Sequence, residues 1–495
     1  MSSGIQGEEM INSSGLGILP VRVLFRVFLA VTLFVGTLGL TPAASANNLE
    51  PCRIKASERQ TLSLGFPVRA ERLVNLAKPR ILVVPFQLKD HPSFVFSQQD
   101  IQDYAEASKN ILALSNGKAN IEIVIAPTFK SEFSIETMNT LKLNQMIGYR
   151  NQDESISTYG FVRRFVSAVD PTIDFSSFDA VIFDGSIRQT PSSSDIAEAF
   201  LLYNDPRNNF VRPIQTNEKS ISNVILLSNH NTVATITHEI LHLFGLTDLY
   251  GTNTGPNELS LMSSNEITLT TYEKWILGWL PDTEVQCLSN PSSNSITEFK
   301  FDAAKSDQLL VIPDSTGSHL MIESSKVRGS KRLAFFSLNN ENRPPMEFFP
   351  VQQLGNAGRT GLAIDDFNSI GDQITSPKYT LIVSDFTQET VTLKLAPRGL
   401  VGSAQFNEML KQIADSKSLA QSRLRQIAEE RASAELKAKQ EAEAAAKAAA
   451  DFSAKQEAEA KVVVKKTTIN CVKGKLTKKV TAVKPKCPSG YKVKK

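Results

Sequence analysis

Apolar and polar positions divide the chain into segments of different texture. The short apolar run Arg80–Phe86 has the density of a buried strand. Between Asp100 and Leu114, Ile101, Tyr104, Ile111 and Leu112 recur at helical spacing and predict a helix buried on that face. Asn116-Gly117 marks a turn, and Ala119–Ala126 then alternates with Ile121, Ile123 and Ile125 to one side, as a strand does. Phe178–Phe183 and Asn223–Leu227 are two further buried strands, the first ended by a turn at Asp184-Gly185. Thr232–Leu246 has helical periodicity. This mixture occupies residues 79–282 and predicts one unit of strands and helices.

From 283 to 398 the texture changes. Leu309–Pro313, Leu320–Glu323, Leu333–Leu338, Tyr379–Asp385 and Thr390–Leu395 are short strands separated by Gly, Pro, Ser and Asn, which predicts a β-rich, sandwich-like region. Residues 399–461 are rich in Ala, Glu, Lys, Gln and Arg. From Ser403 to Lys461 there is neither Pro nor Gly, so the segment predicts a solvated helical spacer. Leu410–Ile427 carries a short coiled-coil-like pattern that is not sustained for three heptads. Residues 462–495 form a Lys-rich tail with a Cys pair. The fold class expected for the whole is α+β.

The front end is of a different kind. Arg22 and Arg26 precede the apolar run Val27–Leu40, and Ala44-Ser45-Ala46 follows, so residues 1–46 read as a secretory signal peptide. The run is shorter than the ~20 residues a bilayer-spanning helix needs, and no later stretch reads as transmembrane. Residues 47–78 are a polar lead-in, either a pro-segment or a strap. The expected location is extracellular, with cell-surface association as an option for the tail.

Charge sharpens this division. The 495 residues carry 54 Lys+Arg and 51 Asp+Glu, a formal net charge of +3. Lys461–Lys495 holds twelve Lys and no acidic residue, which leaves 3 − 12 = −9 for the rest. A polycationic tail favours a polyanion, here an anionic cell-surface polymer. Tyr491 is the only aromatic residue in it, so a specific nucleic-acid partner is not expected. The apolar fraction of 41% excludes a wholly disordered chain. Four cysteines in an exported chain predict disulfides. Cys471 and Cys487 are near neighbours, and by elimination Cys52 pairs with Cys287. The rival role for Cys52, a thiolate capping a metal as a latency switch, is disfavoured by the oxidising compartment.

The chemistry-bearing stretch is Thr237-His238-Glu239-Ile240-Leu241-His242-Leu243-Phe244-Gly245-Leu246-Thr247-Asp248. His238 and His242 are four apart, so their imidazoles share one helix face and can share one zinc ion. Glu239 stands beside the place of a water on that ion. Gly245 can end the helix in a left-handed turn and bring Asp248 back to the metal. With five His in the chain, a chance H-E-x-x-H is on the order of one in several hundred. Glu258, Glu266 and Glu273 are acidic alternatives to Asp248 as third ligand, whereas His230 stands near the helix N-terminus.

His238–Asp248 fits HExxHxxGxxD and resembles the metzincin-type zinc peptidases. With Asp248-Leu249-Tyr250, Leu261-Met262-Ser263-Ser264 and Tyr272–Leu280 it is similar to the secreted immune inhibitor A metallopeptidases. The resemblance is strong over His238–Leu280 and weaker over Arg80–Leu280. It implies a metzincin-like catalytic domain with a mixed sheet, an active-site helix and a Met-containing turn at Met262 beneath the zinc, followed by a β-rich domain. The expected roles are His238, His242 and Asp248 as ligands of one catalytic zinc, Glu239 as general base, and Tyr250 or Tyr272 as a hydrogen-bond donor to the oxyanion. Calcium is compatible with such an enzyme, but the residues define no site for it. The expected activity is endopeptidase action on proteins or peptides. The rivals are an inactive surface-binding or adhesion protein on the same scaffold and a zinc amidase acting on cell-wall material.

Overall fold

The computed structural model describes residues 48–495 except 58–60, 92–94, 147–157, 186–196, 205–210, 228–230, 250–258, 303–304, 314–317, 328–329, 340–345, 349–350, 353–361, 364–369, 388 and 462–464. The signal-peptide reading of 1–46 and the expectations for His230, Tyr250 and Glu258 therefore lie outside the described residues. Among the described residues, no helix is long and apolar enough to cross a membrane.

The chain is a mixed α+β protein. Its first part runs β1 (Arg80–Gln87), α1 (Gln98–Leu114), β2 (Glu122–Ile125), β3 (Phe129–Lys130), α2 (Ile135–Met146), α3 (Thr158–Val169), β4 (Ala180–Asp184), β5 (Ala197–Leu201), β6 (Ile214–Gln215), β7 (Ser220–Ile221), β8 (Asn223–Leu227), α4 (Val233–Phe244) and α5 (Thr271–Ile276). The central sheet has the order β2-β1-β4-β8-β5. Its first four strands are parallel, and β5 pairs antiparallel with β8 at the edge. Strand alternation sends Ile81 and Val83 to one face, with Ile111 of α1 and Ile240 of α4. Leu82, Val84 and Phe86 go to the other, with Phe161 and Phe165 of α3. The parallel strands are thus covered on both faces, which is why they read as unbroken apolar runs.

Helix α1 corrects one detail. The buried stripe is Asp100, Tyr104, Ala107, Ile111 and Leu114, whereas Ile101 and Leu112 are 38% and 39% exposed. The core stripe starts one residue earlier than the branched residues suggest, because Tyr104, Ala107, Ile111 and Leu114 are the side chains that pack into the core, while a Ser97–Asp100 capping box starts the helix. Asp184 also differs from expectation. It is buried as the last residue of β4 and accepts the Tyr104 hydroxyl proton at 2.8 Å. Gly185 follows because the ring of Phe86 occupies the space a side chain would need.

The β-rich part comprises β9 (Val285–Cys287), β10 (Thr297–Asp302), β11 (Gln308–Pro313), β12 (His319–Val327), β13 (Ser330–Leu338), β14 (Met346–Phe348), β15 (Val351–Gln352), β16 (Leu362–Ala363), β17 (Gln373–Thr375), β18 (Tyr379–Phe386) and β19 (Thr390–Pro397). They form two sheets, one ordered β14-β13-β12-β11-β9 and the other β10-β19-β18-β17-β15. Leu310, Ile312, Ile322 and Phe335 of the first sheet share a core with Phe301, Leu381, Val383 and Leu393 of the second. The intervening residues of the first sheet, Leu309, Val311, Met321 and Phe336, join the core that contains α4. That sheet is apolar on both faces, so it packs directly against the α4 side of the molecule.

The lead-in segment is woven into the same core. Cys52 is bonded to Cys287 and has no free thiolate to offer a metal. Leu64 and Leu73 are fully buried, and Phe66 packs edge-on against Trp275. Arg72 is buried beneath the sheet, where it donates to Asn223 Oδ1 at 2.8 Å and to the Leu202 carbonyl at 2.7 Å. Burial lowers its pKa to about 10.

Helix α6 (Ala404–Lys461) docks only at its start, where Phe406, Met409 and Ile413 pack on Ile382 and Ala396. Leu419 and Ile427 are already 55% and 46% exposed, so the coiled-coil-like pattern is not buried along its length. The chain ends in a three-stranded sheet of β20 (Thr467–Lys473), β21 (Leu476–Ala482) and β22 (Lys492–Val493), ordered β21-β20-β22 and carrying a Cys471–Cys487 disulfide.

Candidate metal centre

Thr232 caps α4 by accepting from the Thr235 amide, and the helix is buried from Ile236 onward except at His238. Asn110 of α1 reaches the Thr237 hydroxyl at 3.5 Å, linking the two helices. One turn apart on α4, the His238 and His242 rings lie 4.8 Å apart, nearly perpendicular. The helix stops at Gly245, whose φ of 122° is open to glycine and strained for other residues. The Gly245 amide bonds the His242 carbonyl at 2.9 Å, and the Leu246 amide bonds the Leu241 carbonyl at 3.2 Å, a Schellman closure. A side chain at Gly245 would also meet Val68 Cγ1 at 2.6 Å, so the strap leaves no room for one.

That reversal carries Asp248 back over the helix. Its Oδ1 lies 3.1 Å from His238 Nε2 and 3.3 Å from His242 Nε2. The other ring nitrogens are engaged: His238 Nδ1 with the Leu261 carbonyl at 2.9 Å and His242 Nδ1 with the Leu246 carbonyl at 2.8 Å. With Nδ1 held by a carbonyl, each ring turns its Nε2 toward Asp248, the nitrogen that would ligate a metal on loss of its proton. A zinc tetrahedron with bonds of about 2.0–2.1 Å has edges of about 3.3 Å, so this donor set fits the ion. Ligand atoms of His238, Glu239 and His242 also lie within 4.8 Å of one another, a group that could hold a metal. Glu239 is 5% exposed, and its Oε2 is buried with no hydrogen-bond partner.

The electrostatics follow from this crowding. Burial raises the Glu239 pKa, and the charges of His242 and His238 only partly offset it. Burial pulls His242 down, but the Asp248 hydrogen bond and the charges of Glu239 and Asp248 outweigh it, lifting the imidazole to about 9. Asp248 is raised by burial yet held well below the usual carboxylate range by its hydrogen bonds to the two histidines.

Met262 is fully buried, and its carbonyl accepts the Leu249 amide at 2.8 Å, next to Asp248. The same loop supplies the Leu261 carbonyl to His238. Beneath it, Ser260 donates to Glu273 Oε1 at 2.9 Å, and Glu273 Oε2 accepts from the Thr270 amide and hydroxyl. Glu273 is thus a buried brace for the Met262 loop, and its two oxygens are occupied away from the histidines. Glu266 lies on the partly exposed return of that loop. Tyr272 departs from expectation: it is fully buried, and its hydroxyl donates to the Leu64 carbonyl at 2.9 Å. That phenol is a structural link between strap and helix, not an oxyanion donor.

Two features went unread in the sequence. The orienting carbonyls of Leu246 and Leu261 have no side-chain signature. The Thr270-x-x-Glu273 capping box was legible as such and would have shown where Glu273 points. A cavity of about 220 Å³ opens beside His238, lined by Ala234, Thr235, Leu261, Ser263, Ser264 and Asn265. A larger one of about 970 Å³ lies on the strap side of Gly245, among Arg53, Lys55 and Arg69.

Glu273 and Glu323 make the joint beneath the Met262 loop sensitive to pH. Burial raises Glu273 to about 7 against hydrogen bonds from Thr270 and Ser260 and the Lys274 charge. It raises Glu323 to about 8, opposed by the Tyr272 amide and Lys274 and reinforced by Glu273 and Asp307. Glu323 Oε1 has no partner. Both folded-state values stand above the unfolded ones, so this contribution to stability is full below pH ~4.5 and is lost as pH rises through about 7–8. Thermal unfolding should therefore show a melting temperature that falls between about pH 5 and 8 and levels off above. Glu323→Gln should flatten that slope, by on the order of a few kcal/mol at the alkaline end. An unchanged slope would show that Glu323 is not the titrating group.

No family profile matches the chain, and no curated protein does. Among solved structures, it is similar to metalloproteinase-II from Bacteroides fragilis, with 17% identity over 44% of this chain and a TM-score of 0.21. The match spans 57% of that protein's chain.

Proposed function

We propose that the protein is a secreted zinc-dependent endopeptidase in which His238, His242 and Asp248 hold the metal and Glu239 is the general base. The observation that carries the reading is the buried, unpartnered Glu239 Oε2 next to a histidine pair whose two Nε2 atoms lie 3.1 and 3.3 Å from Asp248 Oδ1. When bound, zinc supplies Lewis acidity toward water and the scissile carbonyl. The chain does the rest. The Leu261 and Leu246 carbonyls hold the imidazoles in one tautomer, and the Gly245 turn presents Asp248. Glu239 takes the proton of the attacking water at its free oxygen and passes it to the leaving amine. Burial raises the Glu239 pKa, the direction that helps a carboxylate return the proton it has taken. An inactive binding scaffold would have no use for a carboxylate kept buried and unpaired at this point. Two disulfides support folding in an oxidising compartment.

The assignment of the third ligand is tested by zinc content. His242→Ala and Asp248→Ala should each bind at least tenfold less tightly than the unaltered chain. Full retention of zinc by the Asp248 variant, beside loss in the His242 variant, would remove Asp248 from the ligand set.

A further inference from the structure

We propose that the C-terminal sheet is a tether to an anionic glycopolymer of the cell envelope, and that α6 holds the hydrolase clear of it. Lys461–Lys495 carries twelve Lys and no acid, yet it is folded, with β20 and β21 in register from Thr467↔Ala482 to Lys473↔Leu476 and β22 added on the other edge. A solubilising tail needs no such order. Cys471 is fully buried under its bond to Cys487, and Ile469 and Val480 share its face, pairing across the strands. The middle of that face is covered, while Lys473, Leu476 and Lys478 toward its turn end stay exposed.

The opposite face is polar and open. It presents Thr468 and Thr481, whose hydroxyls bond at 2.7 Å, with Asn470, Thr477, Lys479 and Lys492 around the half-buried Val472. Hydroxyls, an amide and ammonium groups on a flat sheet suit a hydrated polymer of sugars or polyols bearing spaced charges. The cations point the same way. All twelve are Lys and none is Arg, so the surface attracts by diffuse charge and lacks the planar forks that read phosphates bidentately. Tyr491 is the only aromatic residue there, so single-stranded nucleic acid finds no stacking platform and a bilayer finds no Trp to seat in its interface.

The rest of the chain has the opposite sign, −9 by the count above, and a polyanion repels it. From Gln421 onward every described side chain of α6 is exposed, leaving a bare rod of roughly 60 Å between the docked helix start and the tail.

The test uses the full chain beside a variant with Lys478, Lys479, Lys484, Lys486 and Lys492, all exposed, replaced by Gln. The probe is purified poly(glycerol phosphate), compared with phosphatidylglycerol vesicles and duplex DNA at equal phosphate. The full chain should bind the polymer and weaken by roughly a few hundred-fold between 50 and 200 mM salt if about six Lys are engaged. The variant should bind at least tenfold more weakly while hydrolysing casein at the unaltered rate. Equal binding by the variant would overturn the proposal, and so would vesicles or DNA binding tenfold tighter than the polymer. Casein hydrolysis, measured on the same samples, reports separately on the metal centre.

Discussion

Glu239→Gln should lose at least a hundredfold, and up to about ten-thousandfold, of peptide hydrolysis while keeping its metal and its fold. The substitution is isosteric, and it replaces a carboxylate whose Oε2 has no hydrogen-bond partner. It therefore breaks no hydrogen bond of that oxygen and removes only the capacity to accept and return a proton. Stability should hold or rise, because burial opposes the charged form of Glu239 and an unpaired buried charge is costly. Steady-state hydrolysis of a fluorogenic peptide, with zinc content and melting temperature on the same preparation, checks all three expectations. A variant with zinc bound and hydrolysis undiminished would move the base elsewhere.

The second large effect concerns the strap. Cys52 and Cys287 are 235 residues apart in sequence, and their bond closes most of the α/β part of the chain into one loop. Loop-closure entropy for that length is about 5 kcal/mol at 25 °C, while measured losses on removing native disulfides run about 2–5 kcal/mol. The double variant Cys52→Ser, Cys287→Ser should lose several kcal/mol in urea unfolding. Its effect should extend to the metal centre, because the strap's Val68 faces Gly245, the residue that turns the chain toward Asp248. Weaker zinc binding should accompany the lower stability. An unchanged unfolding midpoint would mean that the strap is held by its other anchors alone, among them Arg72 under the sheet and Leu64 at Tyr272.

Much of this arrangement was legible in residue patterns. The apolar runs of β1, β4 and β8 announced strands because parallel strands covered on both faces have no polar positions. The i, i+4 histidines and the glycine after them announced a helix, its end and a returning carboxylate. What escaped was long-range or carried by backbone. Ile101 and Leu112 looked like core residues of α1, but the helix packs through Tyr104, Ala107, Ile111 and Leu114, which leaves them facing outward. The run Gln308–Pro313 signalled a strand without signalling that its two faces serve two different cores. Tyr272 stands near the motif in sequence, and a fold that crosses strap and helix was needed to show that its hydroxyl is spent on Leu64. Glu323, half a chain-region away from the histidines, had no local pattern to connect it with Glu273.

Stripping the purified protein with chelator and returning zinc in steps, while following casein hydrolysis, reads whether one zinc ion serves Glu239-dependent hydrolysis. The expected result is near-zero activity in the stripped protein, rising in proportion to added zinc and levelling at one equivalent per chain. Hydrolysis that survives complete removal of metal, or a fully loaded protein that cleaves nothing, would contradict it.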